Sequence, residues 1–368
     1  MDFGLAMMSY PGCWDDAAFA EQHGFSLAGF IDSPLLVGDP FICMAIAART
    51  TKTMKLGTFL NIPGLRTPAT AASSLATVHS IAPGRVFFGV GTGYTGRSCF
   101  GLKQPLAAWK MRDYAAEIRE LLAGREVVDR TGKTERRIRM KHPEALRIDP
   151  DNPIPIFVAA DGPKALAAAG EVADGLITTL QYAPSVDARP AVFADGLAAV
   201  RTAAAEQGRN FDDAYTIYTP ALCILESGES ALSPRVLELI GPTAIVPFHS
   251  YACNPEIAPY FPPALRDRIE VYEKEVLSRY DCPRDLLYQE VHAGHLTHLV
   301  DGEAAVFTDE VIRMITMIGT AEEIVAQLRA LESVGVKNVT FGPPPHLARE
   351  LVLAVEQQIM PLMAQTAA

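Results

Sequence analysis

A parallel (β/α)8 barrel, an α/β fold of the TIM-barrel class with insertions after strands four and seven, is what the sequence predicts. Three observations carry that expectation. Short apolar runs alternate with helical patterns at roughly 30-residue intervals, which implies right-handed βαβ units. Eight such runs can be counted, the number a closed barrel needs, although an open doubly wound sheet begins with the same pattern. No Gly/Ser linker or low-complexity stretch divides residues 1–368, so the chain reads as a single barrel domain, a fold that routinely exceeds the usual domain size.

The first four strands fall at residues 3–8, 27–31, 56–60 and 86–90, each a brief apolar run of the kind buried on both faces. Helical patterns at 15–23, 40–50 and 68–81 separate them. Asp39 before Pro40, and Thr67 before Pro68, place a capping oxygen ahead of a first-turn proline, whose missing N–H is no loss there. The rhythm resumes with a strand at 154–160, a helix at 163–173 and a strand at 175–179. A helix over about 191–208 and a strand at 215–225 follow. Thr320 and Glu323 form a capping box that opens a helix closed by Gly335. Residues 336–341 are the last strand and 347–363 the closing helix.

Two stretches break this pattern. Residues 97–153 hold an amphipathic helix at 111–123 and a polar, hairpin-like segment at 127–139. Residues 226–318 are rich in proline, tyrosine and histidine and show no clean strand. Loops that follow barrel strands build the active site, so both insertions are expected to form a lid and substrate walls.

Composition excludes several function classes. With 43 acidic against 32 basic residues, the net charge of -11 argues against a nucleic-acid binder, which needs clustered positive surface, but leaves room for one local phosphate site. Cys13, Cys43, Cys99, Cys223, Cys253 and Cys282 contain no C-x-x-C pair, which fits neither a zinc module nor a disulfide scaffold and suits a reducing cytoplasm. No signal-like opening and no apolar run of membrane length is present, so a cytoplasmic protein without membrane contact is expected.

In such a barrel each strand end is a candidate site position. These ends read Asp32-Ser33-Pro34, Phe59-Leu60-Asn61-Ile62-Pro63, Gly91-Thr92-Gly93-Tyr94, Ala159-Ala160-Asp161-Gly162-Pro163-Lys164 and Thr178-Thr179. Small and polar residues gathered there suit a cofactor bed, because backbone must approach a flat ring closely. At Gly162 a turn leads directly into a helix whose first N–H groups lack intrahelical partners and point toward an anion, with Lys164 as an added cation. An ordinary helix start gives the same residues, and both readings stand open. Gly91, Gly93 and Gly96 match a dinucleotide fingerprint in spacing, but they follow the fourth strand rather than the first of a Rossmann unit. Asp32 either caps a turn or acts in catalysis.

His292, His295 and His298 are spaced by three, yet Gly294 and Thr297 argue against a stable helix and no H-E-x-x-H context exists. No metal site is assigned; His295 and His298 are read as acid/base or substrate-contacting residues, and His249 and Tyr251 as loop candidates.

At these strand ends the chain resembles the bacterial luciferase-like flavin-dependent oxidoreductases, in the branch of methylenetetrahydromethanopterin reductase. The matching stretches are residues 32–40, 56–68, 84–93 and 100–103, and most specifically 155–166 with 170–175. The resemblance implies a barrel that binds reduced FMN or the deazaflavin coenzyme F420. It also implies a non-proline cis peptide at Phe59–Leu60 supporting the ring, and a cofactor phosphate at the turn through Gly162. Ser33, Phe59, Leu60, Asn61, Gly91, Thr92, Gly93, Ala160, Asp161, Gly162, Pro163 and Lys164 are the cofactor-binding residues expected on this basis, with His295, His298 and Asp32 as catalytic candidates.

Two departures from the branch shape the functional expectation. Where its deazaflavin dehydrogenases carry Asp-His after strand two, this chain has Asp32-Ser33; where related reductases carry Thr-Asn-Pro after strand three, it has Asn61-Ile62-Pro63. Both lean toward a monooxygenase acting on a small organic substrate with O2 and reduced FMN supplied by a separate flavin reductase. The alternatives are hydride transfer with the deazaflavin, for whose acidic tail Arg66, Arg97 and Lys103 are available, and a non-catalytic flavin-binding protein. Family habit suggests a homodimer or higher oligomer.

Overall fold

A computed structural model of the chain describes residues 1–130, 134–141, 146, 148–149, 151–180 and 183–365. Eight parallel strands close on themselves: β1 (Asp2–Met7), β2 (Leu27–Phe30), β3 (Lys55–Thr58), β4 (Val86–Val90), β5 (Ile156–Ala159), β6 (Gly175–Thr178), β7 (Tyr215–Tyr218) and β8 (Asn338–Phe341). Each pairs with its neighbours in the sequence, and β8 returns to β1 with Phe3 opposite Val339 and Leu5 opposite Phe341. The fold is therefore the expected (β/α)8 barrel, with its insertions after β4 and β7.

The capping signals form as read. Asp39 accepts from the Phe41 and Ile42 N–H groups at 2.9 and 3.4 Å to open the helix Pro40–Thr50. Thr67 accepts from the Thr70 N–H at 3.2 Å at the start of Pro68–Ile81. Thr320 and Glu323 complete a reciprocal capping box on Ala321–Ser333, and Gly335, at φ +107, turns the chain from that helix into β8.

The barrel interior is filled by rings. Phe87 stacks on Phe157 at 5.0 Å between centroids, and Phe157 on Tyr215 at 5.8 Å, with Ile177 and Ile217 in the same cluster. Two strand glycines make room for this layer: a Cβ on Gly57 would lie 2.4 Å from the Phe87 ring, and one on Gly175 2.5 Å from that of Phe157. Outside the barrel, the fully buried Ala71, Ala72 and Ala76 let the helix Pro68–Ile81 pack closely.

Three expectations are corrected. Residues 215–225 are not one strand: β7 ends at Tyr218, and Leu222–Ile224 pairs in parallel with Met317–Gly319, a strand that begins at the end of the stretch 226–318 expected to hold none. Pro220 between them has no N–H for the ladder. The closing helix divides into Ala348–Ala354, a π-turn Val355–Ile359 and Met360–Ala364. Pro361 cannot donate to the preceding turn, and the helix widens ahead of it. The insertion after β4 holds the amphipathic helix, at Ala108–Leu122, and an antiparallel pair, Val127–Asp129 with Arg136–Ile138. Residues 131–133, within the expected hairpin, lie outside the described residues.

The insertion after β7 folds around its own apolar cluster, in which Val236, Ile240, Phe248, Phe261, Leu265 and Tyr272 are buried. Among the described residues no helix is long and apolar enough to cross a membrane.

Candidate active site

Asp32 follows β2 and is almost wholly buried. Its Oδ2 accepts from Asn61 Nδ2 at 2.7 Å and from Arg66 Nε at 3.4 Å, while Asn61 Oδ1 accepts from the Tyr114 hydroxyl at 2.8 Å. Arg66 also donates to Asp39 at 2.9 Å and lies over the Phe41 ring, so the arginine expected to meet a cofactor tail is committed to two carboxylates of this loop. Asp32 Oδ1 is buried without a hydrogen-bond partner among the described residues. Burial raises the Asp32 carboxyl above the ordinary aspartate range, and Arg66 beside it opposes the rise.

The end of β3 carries the cis peptide expected between Phe59 and Leu60. Past it the strand keeps its partners: Asn61 N–H donates to the Gly89 carbonyl at 2.9 Å and Gly91 N–H to the Asn61 carbonyl at 3.2 Å. The glycines after β4 are demanded by this neighbour. A Cβ on Gly91 would stand 2.8 Å from Leu60, and Gly93, at φ +71, would carry one 2.6 Å from Ile62. Ser33 is buried, with its Oγ 3.5 Å from the place a Cβ on Gly96 would take. The Thr92 carbonyl accepts from the Leu106 N–H at 2.9 Å, fixing the course of the same loop.

Beyond β5, Ala160 is buried and Asp161 ties two strand ends together. Asp161 accepts from the Thr178 hydroxyl, the Thr179 N–H and hydroxyl at 3.1 and 2.8 Å, and the Leu180 N–H at 3.2 Å. The helix Pro163–Val172 then begins at Gly162 with no side-chain cap, and Pro163 contributes no N–H. A Cβ on Gly162 would meet nothing within 4 Å, and Lys164 is exposed with no carboxylate in ion-pair range among the described residues. An uncapped, open helix start with a free ammonium beside it is chemically fit for an anion. The hydroxyl of Tyr94, in the β4 loop, is pushed up by burial and then by the charge of Asp161.

The histidines separate into two groups. His249, on the helix Val246–Cys253 rather than in a loop, is buried with His292 and His295, and one ring nitrogen of each lies within 4.8 Å of the others. His298 is exposed, with its Nδ1 2.9 Å from the Thr297 hydroxyl, in a surface groove beside Pro234, Leu237 and His346. Burial, and then the neighbouring imidazoles, hold His295 well below the ordinary histidine range, which disfavours the imidazolium form. Tyr251, the other loop candidate, donates to Glu273 at 2.6 Å. Of the catalytic candidates, Asp32 alone lies in the strand-end network. The sequence held no local signal for Tyr114 or Glu303, whose partners are 53 and 54 residues away.

A cleft of about 630 Å³ opens between the β4 loop and the second insertion, lined by Ser98, Lys103, Gln104, Asn254, Arg284 and Tyr288 among others. Asn254 bridges its two sides by donating to the Gln104 carbonyl at 3.0 Å. Arg97, half-buried and next in sequence to Ser98, donates to the Lys103 carbonyl at 2.8 Å and has no carboxylate partner among the described residues.

Comparison with known proteins places these features in a family. The family model described as luciferase-like monooxygenase matches residues 14–338. The 5,10-methylenetetrahydromethanopterin reductase of Archaeoglobus fulgidus is 25% identical over 304 residues, covering 82% of this chain and 80% of the relative. An F420-dependent glucose-6-phosphate dehydrogenase of Nakamurella multipartita is 32% identical over 224 residues, 55% of this chain and 60% of the relative. Among solved structures, the coenzyme F420 dependent tetrahydromethanopterin reductase of Methanopyrus kandleri superposes with a TM-score of 0.70 at 20% identity, covering 98% and 99% of the two chains. These relatives overturn the expectation of an FMN monooxygenase. That expectation rested on the absence of a histidine at Ser33 and on Asn61-Ile62-Pro63; the sequence relatives from Archaeoglobus and Nakamurella are named as a reductase and an F420-dependent dehydrogenase, not as oxygenases.

Proposed function

We propose that this chain, which belongs to the luciferase-like monooxygenase family, moves a hydride between an organic substrate and coenzyme F420. It is an oxidoreductase of that family, and the observation that carries the finer reading is the F420 dependence named for relatives 38% and 32% identical to it over 143 and 224 residues. The residues present fit such a coenzyme. The uncapped helix start at Gly162 and the unpaired Lys164 suit its phosphate, and Arg97 and Lys103 suit its acidic tail. Leu60 packs closely on Gly91, which makes an apolar bed at the ends of β3 and β4.

The deazaflavin, when bound, supplies the site that accepts or gives the hydride. What the protein adds is position and proton control. Asp32 Oδ2 is fixed by Asn61 and Arg66, which leaves Oδ1 to hold the proton that a substrate oxygen or nitrogen loses or gains. Tyr114 fixes Asn61 in turn and so acts as a positioning residue. The second insertion, with its own core, shields the mouth from water.

Equilibrium titration of the purified chain tests the coenzyme class. F420 is expected to bind at least about tenfold more tightly than FMN in the matching redox state, and Gly162→Asp to weaken F420 by at least about tenfold through like-charge repulsion at the helix start. Tighter binding of FMN, or a Gly162→Asp variant with unchanged affinity, would overturn this reading.

A further inference from the structure

The buried histidine cluster plays no part in the strand-end network, yet its geometry is specific. His249 comes from the helix Val246–Cys253, and His292 and His295 from one turn closed by the His295 N–H donating to the His292 carbonyl at 3.1 Å. All three rings are buried, with centroids 5.4 to 6.0 Å apart. Two of them are anchored from outside: His249 Nε2 meets Glu303 Oε1 at 2.6 Å, and His292 Nε2 meets Ser98 Oγ at 3.0 Å. Glu303 is itself fixed, since its other oxygen accepts the Val300 N–H at 2.8 Å. What remains is unusual: the Nδ1 atoms of His249, His292 and His295 are all buried with no hydrogen-bond partner among the described residues.

We propose that His249, His292 and His295 bind one divalent transition-metal ion of the zinc class. Three buried ring nitrogens without partners are costly, and a single ion takes one ring nitrogen from each of the three histidines. The separations suit it. With Zn–N bonds of about 2.0–2.1 Å, tetrahedral ligands lie about 3.3 Å apart, and one ring nitrogen of each histidine already lies within 4.8 Å of the others. Glu303 behind His249 is the carboxylate that orients a metal-bound histidine, and Ser98 plays the corresponding part for His292. Three protein ligands leave a fourth position for water or a small exogenous ligand. Ser98 belongs to the β4 loop, so the ion would also pin the second insertion to the rim of the barrel, whichever coenzyme the barrel holds.

Elemental analysis of the full-length protein after equilibration with zinc and dialysis tests this, alongside Co2+ loading of chelator-treated protein followed by visible absorption. About one ion per chain is expected, with the ligand-field bands of a four-coordinate Co2+ site. His292→Ala or His295→Ala should abolish both, while His346→Ala leaves both intact. Glu303→Gln should weaken zinc by about 10–100-fold with the bands retained, an effect on affinity that a purely structural carboxylate would not produce. If the histidine variants fail to fold, the unsubstituted chain still decides. Less than about a tenth of an ion per chain, with no Co2+ bands, would overturn the proposal and leave a cluster that holds only water. Stoichiometric binding retained in a folded His292→Ala/His295→Ala chain would overturn it as well.

Discussion

Asp32 combines three properties that seldom coincide in a carboxylate: near-complete burial, one oxygen bound by an amide and a guanidinium, and a second oxygen with no partner among the described residues. If its free oxygen handles the substrate proton, Asp32→Asn keeps the shape of the network and removes the function. The variant is expected to lose about 10²–10⁴-fold in kcat, the usual worth of a positioned acid or base, while its affinity for F420 shifts by less than about threefold. Stopped-flow turnover and fluorescence titration measure the two separately; equal loss in both would assign Asp32 to binding alone. A stability signature accompanies this. The folded carboxyl is raised above its unfolded value, so its contribution favours the fold at low pH and is lost as pH rises from the ordinary aspartate range through the raised value. The stability of Asp32→Asn relative to the parent should therefore increase with pH across that window, as measured by urea unfolding at several pH values; a flat difference would contradict the burial argument. Asp32 was legible in the sequence because strand ends are. Tyr114 and Glu303 were not, since their partners lie more than 50 residues away and no local pattern links them.

Among the elements, β3 and β4 are held together at a spacing that only a glycine allows. A Cβ on Gly89 would sit 2.1 Å from the Thr58 carbonyl oxygen, a backbone atom that cannot swing aside. Gly89→Ala is expected to destabilise the chain by about 3 kcal/mol, the upper end of the overpacking range, or to prevent folding. Gly162→Ala, with open space and φ of -95, should change stability by less than about 0.5 kcal/mol. Denaturant unfolding of the pair distinguishes a packing glycine from one kept open for a ligand; equal effects would remove that distinction. Caps and strands at this scale could be read from Asp39, Thr67 and Thr320, because a capping side chain acts within three residues. The break at Pro220 and the widened turn ahead of Pro361 escaped the reading. Apolar runs continue through both prolines, and hydropathy does not register a missing N–H.

At the scale of the molecule, the barrel followed from a repeat that every βα unit renews, so errors at single elements did not disturb it. Function had no such redundancy. Two local departures, Ser33 in place of a histidine and Asn61-Ile62-Pro63 after β3, pointed toward oxygen activation rather than hydride transfer, although a proton can be held elsewhere in a buried network, as at Asp32. The histidine cluster was hidden for a related reason. The spacing of His292 and His295 was visible, but His249 joins them only through the fold of the second insertion. The central claim is hydride transfer with F420, and it is tested most directly by anaerobic turnover. The purified chain would be mixed with F420 and a panel of candidate alcohols, sugar phosphates and reduced pterins in the absence of oxygen, and the absorbance of the oxidised deazaflavin followed. The account predicts substrate-dependent bleaching of F420 without oxygen and its loss in Asp32→Asn. Substrate oxidation that requires oxygen and reduced FMN, with F420 left unchanged, would contradict it.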